Sequence, residues 1–176
     1  MKNDTPPGTV ALSAADTTSG GGRFRLWFSP HDVIFDDFAG GHREPLIGAD
    51  VGTRVLIVDD EESLLFTMGD YFGARGYVVD SARDEVGATV LLARARYAAV
   101  IADLRLRGSG DTGGLAVLAL VGQQFPATRR ILLTAYGSPD VEREARRLGV
   151  DAYLLKPQPL SALADVVDVL LRGASG

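Results

Sequence analysis

Four short apolar runs in the sequence each end on polar or charged side chains, and this pattern restricts the fold more than any other feature. The runs cover residues 55–58, 98–102, 131–133 and 153–155, and the side chains that follow them are Asp59 and Asp60, Asp103, Thr134 and Lys156. Short apolar runs bounded in this way are typical of strands buried in a parallel sheet. Because the carboxyl ends of parallel strands lie at one edge of their sheet, we expect the polar positions to meet there.

Helical patterns alternate with strand patterns between residues 53 and 172, which predicts consecutive βαβ units. Strands are predicted over 54–59, 77–81, 98–103, 129–134 and 151–155. Helices are predicted over 62–75, 84–96, a stretch through Leu115 and Val121, 139–148 and 160–172. The predicted fold is therefore α/β, with a doubly wound parallel sheet of five strands.

Local signals add detail to two of the helices. Ser138 is predicted to cap the fourth helix, with Pro139 at its first position, because a serine hydroxyl can accept from a free backbone N–H there. In the second helix, the apolar spacing predicts that Val86, Val90 and Leu91 face the sheet.

Composition excludes several classes of protein. The chain has 176 residues, a net charge of −5 and no cysteine. Its length suits one domain plus an extension, and the lack of cysteine excludes a disulfide framework or a thiolate nucleophile. The charge argues against a nucleic-acid binder. Since neither a membrane span nor a signal peptide is recognisable, we expect a cytoplasmic protein that does not bind a membrane.

The N-terminal part differs in composition from the rest, and residues 1–52 are predicted to be a flexible extension. Residues 1–22 are rich in Thr, Ser, Gly and Pro, which bury too little apolar surface to become ordered. Residues 23–38 instead form an aromatic segment. This segment covers the domain as a short arm or strand, docks on a partner as a peptide, or is a start-site artefact. Residues 173–176 are predicted to be a tail.

The predicted sheet edge carries the chemistry of a phosphoryl acceptor. The neighbouring carboxylates of Asp59, Asp60 and Asp103 repel one another, so a site that keeps them ionised needs a divalent cation, and Mg²⁺ suits oxygen ligands. One carboxylate can then attack phosphorus and form an aspartyl-phosphate. Lys156 and the Thr134 hydroxyl can share the charge of the phosphoryl oxygens with the metal.

Four sequence segments also occur in the order typical of a known family. They are Val-Leu-Ile-Val-Asp-Asp-Glu at 55–61, Val-Ile-Ala-Asp-Leu-Arg-Leu at 100–106, Leu-Leu-Thr-Ala-Tyr-Gly at 132–137 and Asp-Ala-Tyr-Leu-Leu-Lys-Pro at 151–157. With these segments, residues 53–172 resemble the receiver domain of bacterial two-component response regulators over its full length. The resemblance implies the flavodoxin-like (βα)5 fold and a single-domain regulator similar to the chemotaxis receivers.

The resemblance implies a role for each acidic position. Asp103 matches the phosphoacceptor, and Asp60 and Asp103 match direct Mg²⁺ ligands. Asp59 matches the acid that holds the metal largely through water. The main-chain carbonyl of Arg105 matches the remaining protein ligand of the metal.

The resemblance also implies a switch. Lys156 matches the lysine that pairs first with the acceptor carboxylate and then with the phosphoryl group, and the bond from Lys156 to Pro157 matches one that is cis in the family. Thr134 and Tyr153 match the pair that changes position on phosphorylation. Their movement would alter the surface formed by the fourth helix, the fifth strand and the fifth helix.

The function implied is that of a phosphoacceptor regulator in a phosphorelay and not of an enzyme, with at most self-phosphorylation from small donors and autodephosphorylation. The implied partners are a histidine kinase or phosphotransfer protein and an unidentified output protein. Because the sequence ends soon after the fifth helix, we expect no output domain. Two alternatives remain: a phosphorylation-independent scaffold, or pseudo-receiver, and an aspartate-nucleophile phosphatase. Such phosphatases usually carry a second acid where Arg105 stands.

Two departures from the family pattern concern the mouth of the predicted site. The loop 106–114 is rich in glycine and lacks the usual Met-Pro. Arg105 and Tyr136 occupy the two variable positions that flank the site, and bulky side chains there could gate the attacking water.

Overall fold

The computed structural model describes residues 24–26 and 52–172. Within these residues the strands are β1 (Phe24–Leu26), β2 (Arg54–Val58), β3 (Val78–Ala82), β4 (Ala99–Ala102), β5 (Arg129–Thr134) and β6 (Ala152–Leu155). The α-helices are α1 (Glu62–Ala74), α2 (Glu85–Arg94), α3 (Gly113–Gln124), α4 (Pro139–Arg147) and α5 (Leu160–Arg172). A short 3-10 turn, Gly110–Thr112, precedes α3.

The strands form one sheet in the order β1-β6-β5-β4-β2-β3. Strands β2 to β6 are all parallel, whereas β1 runs antiparallel along the outer edge of β6. The five parallel strands confirm the predicted doubly wound, flavodoxin-like α/β fold. Strand order reverses between β2 and β4, so their carboxyl ends border the crevice in which such folds bind their ligands.

The core lies on both faces of the sheet. Side chains of α2, α3 and α4 pack on one face around Leu56, Val100 and Leu132. Side chains of α1 and α5 pack on the other face around Ile57 and Ile101. All four residues of β4 are buried, as predicted for a central strand covered on both faces.

Two helix starts are held by side-chain caps. The Asp84 carboxylate accepts from the backbone N–H of Gly87 at 2.7 Å. Ser138 Oγ accepts from the backbone N–H of Val141 at 3.2 Å, and Pro139 follows it at the first helical position. The predicted cap of the fourth helix is therefore confirmed.

The predicted inner face of the second helix was partly wrong. Leu91 packs against the core, but Val86 is 73% exposed and Val90 is 42% exposed. Ala88 and Leu92 face the sheet instead. Apolar residues occur all around this short helix, so their spacing does not fix its rotation. Ala88 and Leu92 lie about one turn apart and so share the inner side of the helix.

The predicted extension lies outside the described residues except for β1 and Gly52, and the predicted tail at 173–176 lies outside them as well. Residues 24–26, which belong to the aromatic segment 23–38, pair with β6. None of the helices in the described part of the chain is long and apolar enough to cross a membrane.

Candidate functional site

Polar side chains converge where the parallel strands end. Asp59 directly follows β2, Asp103 directly follows β4, and Lys156 directly follows β6. Asp59 is 3% exposed and Asp103 is 7% exposed, which is unusual for carboxylates without a partner. The topology therefore brings two acids and one base together at the crevice beside the strand reversal.

The ammonium group of Lys156 bridges both carboxylates. Its Nζ lies 2.6 Å from Asp59 Oδ2 and 3.0 Å from Asp103 Oδ1. The lysine side chain is 20% exposed, so water reaches this bridge from one side. The peptide bond that follows, from Lys156 to Pro157, is cis.

Backbone N–H groups hold the other oxygen of each carboxylate. The N–H of Glu61 donates to Asp59 Oδ1, and the N–H of Arg105 donates to Asp103 Oδ2, both at 2.9 Å. In each case the donor lies two residues beyond the acid, which is the local turn that aspartate favours. Both carboxylates are therefore fixed in orientation by the loops that begin at the strand ends.

Two buried carboxylates share one ammonium group, so the charges of Asp59, Asp103 and Lys156 do not cancel. Burial raises the pKa of Asp103 above its usual value, even though Lys156 and the N–H of Arg105 both act to lower it. Burial acts to lower the pKa of Lys156, but the hydrogen bond to Asp59 and the charges of Asp59 and Asp103 outweigh it and raise that pKa. Lys156 is thus held protonated mainly by Asp59, and Asp103 is only partly compensated. A partly compensated buried carboxylate is a feature of reactive sites.

Thr134 and Tyr153 lie on neighbouring strands and are both buried, with exposed fractions of 0% and 5%. Thr134 Oγ1 accepts from the backbone N–H of Tyr136 at 3.0 Å. The Tyr153 hydroxyl lies against Gly137, because a Cβ added to this glycine would be 2.5 Å from the hydroxyl oxygen. Both side chains therefore contact the loop between β5 and α4.

Asp60 lies at the same strand end as Asp59, and it is partly exposed. In residues 52–172, no three His, Asp or Glu side chains are already placed to surround a metal ion. The donors available at this edge are nevertheless carboxylate and carbonyl oxygens, which suit a hard divalent cation. Asp103, whose pKa is raised by burial, is the group that such a cation would compensate.

The mouth of the site is lined by a stacked pair. The guanidinium carbon of Arg105 lies 3.7 Å from the centroid of the Tyr136 ring. Arg105 Nε also lies 3.3 Å from Asp111 Oδ1 in the glycine-rich loop. These contacts join the loops that follow β4 and β5 across the opening next to Asp103.

Gly114 is a positioning residue that the sequence reasoning missed. A Cβ at this position would overlap the carbonyl oxygen of Asp103, and it would lie 2.7 Å from the carbonyl carbon of Asp103 and 3.1 Å from Leu104 Cα. The N–H of Gly114 donates to the Leu104 carbonyl at 3.0 Å. The start of α3 therefore packs directly on the backbone that carries Asp103, and the Gly113-Gly114 pair was the only sequence signal of this contact.

A comparison with protein-family models matches residues 55–168 to the response regulator receiver domain. The chain belongs to the response regulator receiver family. Receiver domains act in two-component systems through aspartyl phosphorylation.

Individual relatives agree with this membership. The receiver domain is 36% identical over 104 residues to the alginate biosynthesis transcriptional regulatory protein AlgB of Pseudomonas putida, a match that covers 59% of this chain and 22% of AlgB. It is 25% identical over 114 residues to sporulation initiation phosphotransferase F of Bacillus subtilis, which covers 65% of this chain and 90% of that protein. The chain thus spans about a fifth of the length of the AlgB relatives it matches.

A solved structure is also similar. It is a response regulator from Burkholderia pseudomallei with a phosphorylated aspartic acid, a calcium ion and citrate. Its TM-score is 0.60 at 28% identity, and the match covers 65% of this chain and 66% of that one.

Proposed function

We propose that this receiver domain accepts a phosphoryl group on Asp103 and acts as a response regulator in two-component signalling. The observation that carries the proposal is the environment of Asp103. Its carboxylate is buried, held by Lys156 on one oxygen and by the Arg105 N–H on the other, and lies beside a second acid. The donor would be the phosphohistidine of a histidine kinase or of a phosphotransfer protein.

The chemistry follows from this geometry. A carboxylate oxygen of Asp103 attacks phosphorus and forms a P–O bond, while the P–N bond to the donor histidine breaks and the imidazole takes a proton. Lys156 already contacts Asp103, so its ammonium is in place to offset the negative charge that the phosphoryl oxygens bring. The N–H of Arg105 keeps the carboxylate in one orientation during the attack.

A divalent cation fits this proposal. Asp59, Asp60, Asp103 and the main-chain carbonyl of Arg105 would hold Mg²⁺. When bound, the ion would neutralise charge on the carboxylates and on the phosphoryl oxygens. The Burkholderia pseudomallei response regulator, with its phosphorylated aspartic acid and calcium ion, supports this assignment by similarity.

The signal would leave through the face of α4, β6 and α5, where β6 is the fifth strand of the parallel sheet. Thr134 and Tyr153 are the proposed switch pair, because both contact the loop between β5 and α4. If the Thr134 hydroxyl turns to a phosphoryl oxygen, it gives up the N–H of Tyr136 and that loop moves. Tyr153 packs against the same loop, so its ring can follow. An output protein would bind this altered face.

Intact-mass spectrometry after incubation with acetyl phosphate and Mg²⁺ tests the proposal. The expected result is one phosphate adduct that depends on the metal and is labile to hydroxylamine. Asp103→Asn should abolish the adduct. Glu61→Gln is the matched control, since Glu61 is an exposed acid two residues from Asp59, and it should retain the adduct. An adduct of unchanged yield in Asp103→Asn, or none in the wild type, would refute the assignment.

A further inference from the structure

The outer strand of the parallel sheet, β6, is paired on its outer side as well as with β5. Residues 24–26 run antiparallel along it, with Phe24 opposite Leu154, Arg25 opposite Tyr153 and Leu26 opposite Ala152. An uncovered edge strand offers unpaired N–H and C=O groups to any extended chain. Here a segment from the far N-terminal side of the chain fills that edge.

The direction of the backbone groups on β6 shows which residues bind β1. The N–H of Lys156 donates to the Thr134 carbonyl of β5 at 2.8 Å, and Thr134 is paired with Leu155. Successive residues of a strand point their backbone groups to opposite sides, so those of Ala152 and Leu154 point toward β5 and those of Tyr153 point toward β1. Arg25, which lies opposite Tyr153, is therefore the hydrogen-bonded position of β1. The N–H groups of Phe24 and Leu26 point away from β6.

The covered stretch of β6 is the one that the proposed signalling uses. Tyr153 lies at its centre, and Lys156 directly follows its end. A strand that pairs here holds the backbone of the switch tyrosine in place, and it occupies part of the face of α4, β6 and α5. Another extended chain can pair with this edge only when β1 has left it.

The chain length permits β1 to bind and to leave. Residues 27–53 connect β1 to β2, and β1 and β2 are separated by β6, β5 and β4. Four strand spacings amount to about 19 Å, whereas a connection of this length reaches about 90 Å when extended. Pairing within one chain therefore needs no stretched connection, and it benefits from a high effective concentration.

We propose that the edge of β6 is a strand-binding site and that residues 24–26 are its internal ligand. In the resting protein they close this edge and compete with any other strand for it. The pairing itself is independent of phosphorylation. Its use in signalling rests on the proposed function, through Tyr153.

Amide hydrogen exchange of the full chain, followed by NMR without a phosphoryl donor, tests the pairing. The amide of Tyr153 should be protected. In the variant Arg25→Pro, the ladder donor of β1 is lost, and the Tyr153 amide should exchange about tenfold faster or more. Phe24→Pro is the matched control, because proline is tolerated at the first residue of an edge strand where the N–H points away from the partner, and it should leave the protection unchanged.

The Leu154 amide, which points to β5, serves as an internal reference for the fold and should keep its protection in all variants. A synthetic peptide of residues 22–30 should restore protection of Tyr153 in Arg25→Pro, and it should not bind the wild type. Fast exchange of the Tyr153 amide in the wild type, or equal effects of the two proline variants, would overturn the proposal. So would protection that falls on dilution, since that would place the strand on a second copy.

Discussion

Replacing Gly114 by alanine should destabilise the domain, because the new Cβ collides with backbone that cannot move aside freely. It would overlap the carbonyl oxygen of Asp103 and lie 2.7 Å from the carbonyl carbon, whereas ordinary contacts begin at 3.4 Å. The start of α3 and the end of β4 must therefore separate by more than 0.7 Å, the difference between these two values, because the oxygen is closer than the carbon. That separation also stretches the hydrogen bond from the Gly114 N–H to the Leu104 carbonyl.

The expected loss in the free energy of unfolding is the sum of three contributions. Overpacking costs about 1–3 kcal/mol, and weakening a backbone hydrogen bond costs about 1 kcal/mol more. The better helix propensity of alanine returns up to about 1 kcal/mol. The net loss should be about 1–4 kcal/mol, which lowers the melting temperature by roughly 3–20 °C in a domain of this size. Formation of the phosphate adduct should also slow, because Asp103 moves with its backbone.

Gly69→Ala provides the matched control. Gly69 lies within α1, and a Cβ there would meet nothing within 4 Å. The same change of residue should therefore stabilise the domain by about 0.5–1 kcal/mol. Urea unfolding and thermal unfolding of both variants measure the two effects. Equal stability of Gly114→Ala and the wild type would refute the close packing of α3 on the acceptor strand.

Three further predictions concern single side chains. Lys156→Met should slow formation of the adduct by about 10- to 100-fold, or about 1.4–2.8 kcal/mol, because the ammonium beside Asp103 is lost; timed intact-mass spectra measure the rate. Arg105→Ala removes the stacking on Tyr136, which is worth about 0.5–1 kcal/mol. Because this pair is expected to restrict water, hydrolysis of the adduct should speed up about two- to fivefold. An unchanged rate of hydrolysis would contradict a gating role. Burial and the hydrogen bond to Asp80 raise the pKa of Tyr97 to about 12. The unfolded chain loses the Tyr97 hydroxyl proton at a lower pH than the folded protein does. The free energy of unfolding should therefore fall as pH rises from about 10 towards 12, and it should fall less steeply in Tyr97→Phe. Urea titrations of both proteins at pH 9 and 11 measure this difference.

The sequence was sufficient to predict the parallel sheet and the approximate ends of its strands. Those features depend on local patterns, namely apolar runs that end in polar residues and helix caps such as Ser138. The meeting of Asp59, Asp103 and Lys156 also followed, since strand direction alone brings their positions to one edge. These contacts need no information on side-chain packing.

The remaining features depend on distances that a sequence pattern does not contain. The outward orientation of Val86 was missed because apolar residues surround α2. The contact between Gly114 and the acceptor strand and the stacking of Arg105 on Tyr136 are set by how the loops fold over the sheet edge. The pairing of residues 24–26 with β6 joins parts of the chain more than 120 residues apart, and no local signal specifies its register.

The central claim is that Asp103 is the residue that carries the phosphoryl group. The most direct measurement is borohydride reduction of the acetyl phosphate-treated protein, followed by peptide sequencing by tandem mass spectrometry. Borohydride converts an acyl phosphate of aspartate to homoserine, so the modified residue is identified directly. Homoserine is expected at position 103 and at no other aspartate. Homoserine at Asp59 or Asp60, or its absence from a protein that carries the phosphate adduct, would contradict it.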